Sequence, residues 1–498
     1  MSKSLPEIVA AIDLGSNSFH MIVCRLNDGK LQTIDRLKEM VRLASGLDKR
    51  NYLDDETQTR ALACMERFGQ RIRNLSPESV RIVGTNTMRT AKNAQEFIEK
   101  AEKVLGHQIH IIAGIEEARL IYQGVAHSLS SNANVRFVMD IGGGSTEYII
   151  GTGDTPHTKE SLNMGCVSVS NGFFKNGKIS ALAFKEAVLF AEQELEPIQQ
   201  RFHARLWDEA IGASGSLKAI DKVLQASQWS NNGITLAGLE KLVAYILQHK
   251  NIKDLNLPEL DAERLPVFVG GVAIIYATFK ILGVTQMTVS DGALREGLIY
   301  DLVGRIYHSD VRSETVKLLA ERYHTEAAHA ERVKQTVLYM LEQCNIFTRV
   351  DSELLTQFMA WASDLHEIGR DIAHHHYHKH SAYIIENADL AGFSSQDQSI
   401  IAALVRCHRR KFDLKYFQKL PSPWNAYAPY LCIILRLSVT LHRSRYDNHL
   451  PDFNISIDGS EISLKFPKNW LEQAPLTFAD LRLEADYFKA GHFKLKFE

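Results

Sequence analysis

A chain of 498 residues, 45% hydrophobic and 23% charged, is too long for one core and too ordinary in composition for a fibrous or disordered protein. A formal net charge of −2 excludes partner choice by bulk charge, so any polyanion must meet a local basic patch, and no nucleic-acid partner is expected. No apolar run of about 18–20 residues stands out as a transmembrane segment. The N-terminus lacks a signal-peptide pattern. Six scattered cysteines without a Cys-x-x-Cys pair fit reduced thiols, and a cytoplasmic location is expected.

Residues 7–13 (EIVAAID) and 18–26 (SFHMIVCRL) read as two strands joined by a polar turn. The turn holds Asp13, Gly15, Ser16, Asn17 and Ser18, yet it has neither the lysine of a P-loop nor a G-x-G-x-x-G pattern. An extended stretch near 31–42 follows, then a helix over 55–75, a strand over 79–84, a helix over 93–105, a strand over 108–113 and a helix over 116–128. The pattern restarts with strands at 135–140 and 145–151 around DIGGGSTE. IDLGSNS (12–18) and MDIGGGS (139–145) share the order apolar, Asp, apolar, Gly, two small or turn residues, Ser, at a spacing of 127. A strand enters IGASGS (211–216), a helix follows, and another strand at 286–290 leads into a helix over 292–306. Beyond Val311 the chain reads as helices at 312–345, 353–368, 380–388, 396–407 and 429–443, with a loop at 420–429. A hairpin at 454–467 with Asp-Gly in its turn, a helix over 476–488 and a last strand close the chain.

Two Gly/Ser loops that each follow an Asp can face each other, and backbone N–H groups in such loops form anion nests. Carboxylates repel phosphate, so Asp13, Asp140 and Glu147 make sense there only with a cation, and hard oxygen ligands point to Mg²⁺. Glu116 and Glu117 open a helix. Acids suit that dipole end, which accounts for Glu116, while periodicity does not settle whether Glu117 points into a cleft. VGTNTMRT (83–90) carries Arg89, either a planar phosphate fork or part of a surface loop.

The stretches AIDLGSNSFHM, VGTNTMR, GIEEARLIYQGV, DIGGGSTE, MGCVSV, GASGS and DGALREGL, in this order, resemble the exopolyphosphatase/guanosine pentaphosphate phosphatase family. The resemblance runs through most of the chain. It implies an α/β N-terminal half of duplicated actin-like (ribonuclease H-like) domains at 1–128 and 129–310. An α-helical HD-like domain at 311–446 and a small α+β domain at 447–498 would follow. It also implies hydrolysis of a terminal phosphoanhydride, with Glu117 as general base on water. Asp140, Glu147 and Asp13 would lie at Mg²⁺, and the loops at Ser16, Asn17, Gly143, Gly144 and Ser145 would hold phosphate oxygens together with Arg89. DIGGGSTE and the LKFE tail resemble the exopolyphosphatase branch more closely, so inorganic polyphosphate is the expected substrate and guanosine pentaphosphate the alternative. A homodimer, with or without a peripheral membrane association, is implied as well. FVGGVAIIY resembles the Gly-Gly adenosine motif of the wider superfamily and keeps an ATP-dependent kinase or chaperone as a third reading.

HAERV (329–333) and DLHEIG (364–369) are similar to motifs of HD-type metal phosphohydrolases, but the pair is His366–Glu367 and Ser438 or Val439 stands where a last Asp is wanted. Such a centre is expected to bind metal poorly. HHHYHKH (374–380) reads as an exposed loop or helix start. RCHRRKFDLK (406–415) is a solvated helix end or, given a chain-like polyanion, a track through Arg409, Arg410 and Lys411.

Overall fold

Strand β1 (Ile8–Leu14) sends Ala10, Ile12 and Leu14 into one core and Val9 and Ala11 into another, because successive strand side chains face opposite ways. It pairs antiparallel with β2 (Phe19–Asn27), which pairs with β3 (Lys30–Glu39), and parallel with β4 (Val80–Gly84), which pairs with the two-residue β5 (His110–Ile111). The order is β3-β2-β1-β4-β5. The second sheet repeats it with β6 (Val135–Ile141), β7 (Thr146–Thr152), β8 (Thr155–Leu162), β9 (Glu209–Gly212) and β11 (Gln286–Val289), and adds the edge strand β10 (Ile234–Thr235). The computed structural model describes residues 6–27, 30–129, 135–306, 310–344, 346–347, 350–446 and 450–498. It divides into two units, Met1–Asp310 and Val311–Glu498.

Between the two sheets lie the helices Gly114–Ala126 and Leu294–Ile306, whose apolar faces share one cluster with Val9, Ile22 and Val83 of the first sheet and Val138, Ile149 and Ile211 of the second. Each helix packs on the sheet of the opposite repeat: Gly114–Ala126 on β7 and β8, Leu294–Ile306 on β1, β2 and β4. A buried ion network joins them. Arg119 donates through Nε and Nη2 to Glu116 (2.8 and 2.7 Å) and through Nη2 to Asp301 (2.6 Å), which also accepts from Arg305 (2.9 Å). Glu116 stands in the first turn of its helix, as its position led one to expect, and is also a buried ion-pair partner.

Several other expectations change. β8 was not foreseen, because its TPHTKESL sequence has no apolar alternation. Residues 86–90 form a short helix, Asn86–Thr90. The 312–345 segment is two helices, Val311–Arg322 and Ala327–Glu342, separated at His324 (φ 46°), and residue 345 lies outside the described residues. The 420–429 loop is largely helix: Trp424–Leu441 begins inside it and accommodates Pro429 close to its start.

FVGGVAIIY lies within the helix Leu265–Leu282, the one described helix long and apolar enough, by length and composition alone, to cross a membrane, a test that a buried core helix also passes. Its only charge is Lys280, and 67% of it is buried in the protein. A Cβ on Gly270 would meet Ser170 Oγ at 2.5 Å and the Cys166 carbonyl at 2.8 Å, so that glycine serves helix packing.

In the second unit, β12 (Asn454–Asp458) and β13 (Glu461–Lys465) form the expected hairpin, and β14 (Lys494–Phe497) adds parallel to β13. Phe453, Ile462, Leu464 and Phe488 share one core with the helices, so the last fifty residues have no separate core of their own. The boundary drawn at 447 falls on 447–449, outside the described residues.

Candidate active site

The two repeated loops meet. A Cβ on Gly143 would stand 3.0 Å from the Ser16 Cβ and 3.4 Å from that of Asn17, and one on Gly144 would stand 2.5 Å from Asn86 Oδ1. Only glycine permits that approach. The first turn of the helix Cys166–Phe173 takes the loop's carbonyls: Cys166 N–H donates to Gly142 O, and the N–H groups of Val167 and Ser168 donate to Gly143 O. The carbonyls of Ser16 and Asn17 are likewise taken by the N–H groups of Ala44 and Arg42. Among the described residues, no backbone acceptor takes the N–H of Ser16, Asn17, Gly143 or Gly144. The loops thus retain donors for an anion.

Both repeats end their first strand in an Asp. In the ladders Asp13 stands opposite His20, and Asp140 opposite Glu147, each pair 127 positions from its counterpart. Glu117, in the first turn of its helix, joins them. Glu117 and Glu147 are 8% and 1% exposed. Burial first, then the charges of Glu117 and Asp140, holds Asp13 well above the usual carboxylate range. Asp140 is pushed up to about 7 by burial and by Glu117, against the opposing Lys218. Burial, Glu117 and Asp140 raise Glu147, against hydrogen bonds from Ser145 and Ser161. Burial raises Glu117 too, against Arg89. Four carboxylates this close cannot all ionise cheaply in a dry site. Asp13 Oδ1 and Glu117 Oε2 are buried without a hydrogen-bond partner. A hard cation fits this donor set.

Around them opens a cleft of about 380 Å³. Asp13, Ser16, Asn17, Glu117, Asp140, Gly143, Gly144 and Ser145 line it, whereas Glu147 and Arg89 do not. The Ser16 hydroxyl accepts from Thr87 N–H (3.2 Å) and Thr87 Oγ1 (2.8 Å), so it anchors the loop, leaving Ser16 its backbone for a ligand. Arg89 donates to the Ile112 carbonyl (2.6 Å) and stands 3.7 Å from Glu117 Oε2, an ion pair without a hydrogen bond. Sequence reasoning missed the cleft's cations Lys38, Lys218, Lys222, Arg264 and Arg295. Of these, only Arg295 had a signal, its place in DGALREGL. Arg295 Nη1 lies 3.3 Å from His20 Nδ1, and His20 Nε2 lies 2.8 Å from Ser18 Oγ. A guanidinium can only donate, so Nδ1 accepts and Nε2–H faces Ser18. Burial, then Arg295, lowers His20 to about 3 and keeps it neutral.

Arg409, Arg410 and Lys411 lie elsewhere, in the second unit, lining a pocket of about 550 Å³ with His376, Lys379 and Arg406. Arg409 stacks over Tyr377 at 4.5 Å, and Lys411 pairs with Asp413 at 3.2 Å.

A duplicated actin-like frame with phosphate-type loops and clustered acids defines a phosphate-handling enzyme of the actin-like class. Residues 22–306 match the Ppx/GppA phosphatase family and 311–485 match Ppx/GppA phosphatase, domain III. The chain belongs to the Ppx/GppA phosphatase family and is a phosphoanhydride hydrolase. It is 38% identical over 485 residues, 97% of each chain, to a protein of Aliivibrio fischeri (strain MJ11) named guanosine-5'-triphosphate,3'-diphosphate pyrophosphatase. A protein of that name from Pseudoalteromonas translucida is 38% identical over 97% of each chain. Among solved structures, an Aquifex aeolicus Ppx/GppA family member is similar at 26% identity and TM-score 0.50, covering 60% of this chain and 98% of its own. An exopolyphosphatase from Cytophaga hutchinsonii shares the fold at 22% identity and TM-score 0.54, over 60% of this chain and 98% of its own. Both of these full-length relatives carry that name, whereas DIGGGSTE and the tail resemble the exopolyphosphatase branch.

Proposed function

We propose that this chain hydrolyses the terminal phosphoanhydride of guanosine pentaphosphate. The observation that carries the reading is the cluster of Asp13, Glu117, Asp140 and Glu147 at the meeting point of two loops with free N–H groups. The names of the full-length relatives support that choice of substrate. Asp13, Asp140 and Glu147 are the residues that would hold Mg²⁺, which when bound neutralises charge on the phosphoryl oxygens. Ser16, Asn17, Gly143 and Gly144 bind phosphate oxygens through N–H groups, and Ser145 braces Glu147. Glu117 takes the proton of the attacking water, a role worth about 10²–10⁴-fold in rate. Its Oε2, buried without a hydrogen bond, is the atom that accepts it, and Arg89, ion-paired with it at 3.7 Å, holds the side chain in place.

The test is phosphate release by Glu117→Gln, expected to fall at least about 10²-fold with the fold intact. Near wild-type turnover would remove Glu117 from this role. Comparison of kcat/KM for guanosine pentaphosphate, long-chain polyphosphate and ATP, with and without Mg²⁺, ranks the substrates. Polyphosphate stands as a second reading because of the basic pocket around Arg409, Arg410 and Lys411. Arg409→Ala with Arg410→Ala should then weaken polyphosphate hydrolysis selectively.

A further inference from the structure

The second unit buries four imidazoles in a run. Ring centroids are 5.7 Å apart from His329 to His366, 5.3 Å from His366 to His408 and 6.2 Å from His408 to His378. Their exposures are 2%, 0%, 1% and 5% in the order His329, His366, His408, His378. Each keeps one buried ring nitrogen with no hydrogen-bond partner: Nδ1 of His329 and His378, Nε2 of His366 and His408. Buried polar atoms are nearly always paired. Four such atoms in neighbouring rings call for an occupant.

The tautomers say what kind. His366 Nδ1 lies 2.7 Å from the Ser363 carbonyl, and His408 Nδ1 lies 2.6 Å from that of Val405. A carbonyl only accepts, so Nδ1 carries the proton in both rings and Nε2 presents a lone pair. A backbone carbonyl that fixes Nδ1–H while Nε2 stays open is the outer-shell arrangement of metal-ligating histidine. Glu367 is buried beside them, and ligand atoms of His329, His366 and Glu367 lie within 4.8 Å of one another. Bonds of about 2.0–2.2 Å would require a small contraction around an ion.

We propose that His329, His366 and Glu367, with His408 adjoining, form a binding site for a divalent transition-metal ion that prefers imidazole, such as Zn²⁺. This departs from the expectation that a centre lacking its Asp ligands binds metal poorly: the donors are imidazoles plus one carboxylate, a set that suits zinc. Glu367 also accepts hydrogen bonds from Arg445 and from Arg370 Nη1 (3.1 Å). A carboxylate has lone pairs left to bind an ion as well, but the two guanidinium charges oppose a dication. Removing Arg445 should therefore tighten binding. The site is independent of the phosphatase reading.

The test uses the full chain without a histidine tag, stripped by chelator, titrated with Co²⁺ and followed by visible d–d absorption, with Zn²⁺ as competitor. Wild type should take up one Co²⁺ with tetrahedral-type absorption that Zn²⁺ abolishes. His366→Ala should weaken binding at least about tenfold, His374→Ala should leave it unchanged, and Arg445→Gln should strengthen it. Misfolding cannot mimic the last effect. An absent wild-type signal, as from water in the cluster, overturns the proposal. So does a signal that survives in His366→Ala but is lost in His374→Ala.

Discussion

Glu117 reaches the cleft from a helix whose position depends on a glycine-to-glycine crossing. Where Gly114–Ala126 passes Leu294–Ile306, a Cβ added to Gly124 would stand 1.9 Å from the Ala293 carbonyl oxygen and 2.8 Å from Gly297 N. Both obstacles are backbone, so no rotamer relieves them. A carbon–oxygen contact needs about 3.3 Å, so in Gly124→Ala the helices must separate by more than about 1 Å. Overpacking of this kind costs about 1–3 kcal/mol, and a shift of about 1 Å at a reacting group costs about 10²-fold in rate. Urea unfolding should show a lowered midpoint, and kcat/KM for guanosine pentaphosphate should fall about 10²-fold with helix content retained. Gly172→Ala is the control. A Cβ there meets nothing within 4 Å, and inside a helix the change should be neutral or stabilise by about 0.5–1 kcal/mol. Wild-type stability and turnover in Gly124→Ala would refute the view that this crossing sets the position of Glu117.

Arg119→Ala strands Glu116 and Asp301 as buried acids and should cost about 3–5 kcal/mol in chemical denaturation. Asp140→Asn should raise the Mg²⁺ concentration needed for half-maximal phosphate release, read from a metal titration at fixed pH. His442, hydrogen-bonded with Thr336 Oγ1 at 2.7 Å, is lowered to about 4 by burial and then by Arg332. Its folded value lies below its unfolded one, so the unfolded chain binds the proton first. The contribution is complete above the unfolded value of about 6.5 and is lost at about 1.4 kcal/mol per pH unit as pH falls toward 4. His442→Asn should flatten the pH dependence of the urea midpoint between pH 7 and 5.

The duplication was legible because both copies kept their Asp-x-Gly turn chemistry, and the two sheets do repeat one strand order. The exchange of central helices was not. Periodicity marks the buried face of Gly114–Ala126 without naming the sheet it covers. Glu116 and Glu117 are adjacent and chemically alike, yet one closes an ion network and the other faces the cleft. That difference depends on Asp301, some 180 positions away. Lys38 and Arg264 come from segments without motifs and meet the site only through the tertiary fold. Helix Trp424–Leu441 was hidden at its start by Pro423 and Pro429, which read as loop signals. The histidine cluster gathers rings from four separate helices and turns, beyond what spacing reveals.

His20 and Glu147 occupy equivalent places in the two ladders. With an acid at position 20 as well, the two strand pairs would carry the same charge at these places. A neutral imidazole at position 20, held by Arg295 and turned toward Ser18, breaks that equivalence. Each repeat contributes two of the four clustered acids, Asp13 and Glu117 from the first and Asp140 and Glu147 from the second, but only the first sets a neutral ring opposite its strand-end Asp. The frame is repeated, and the neutral residue at position 20 gives it a direction.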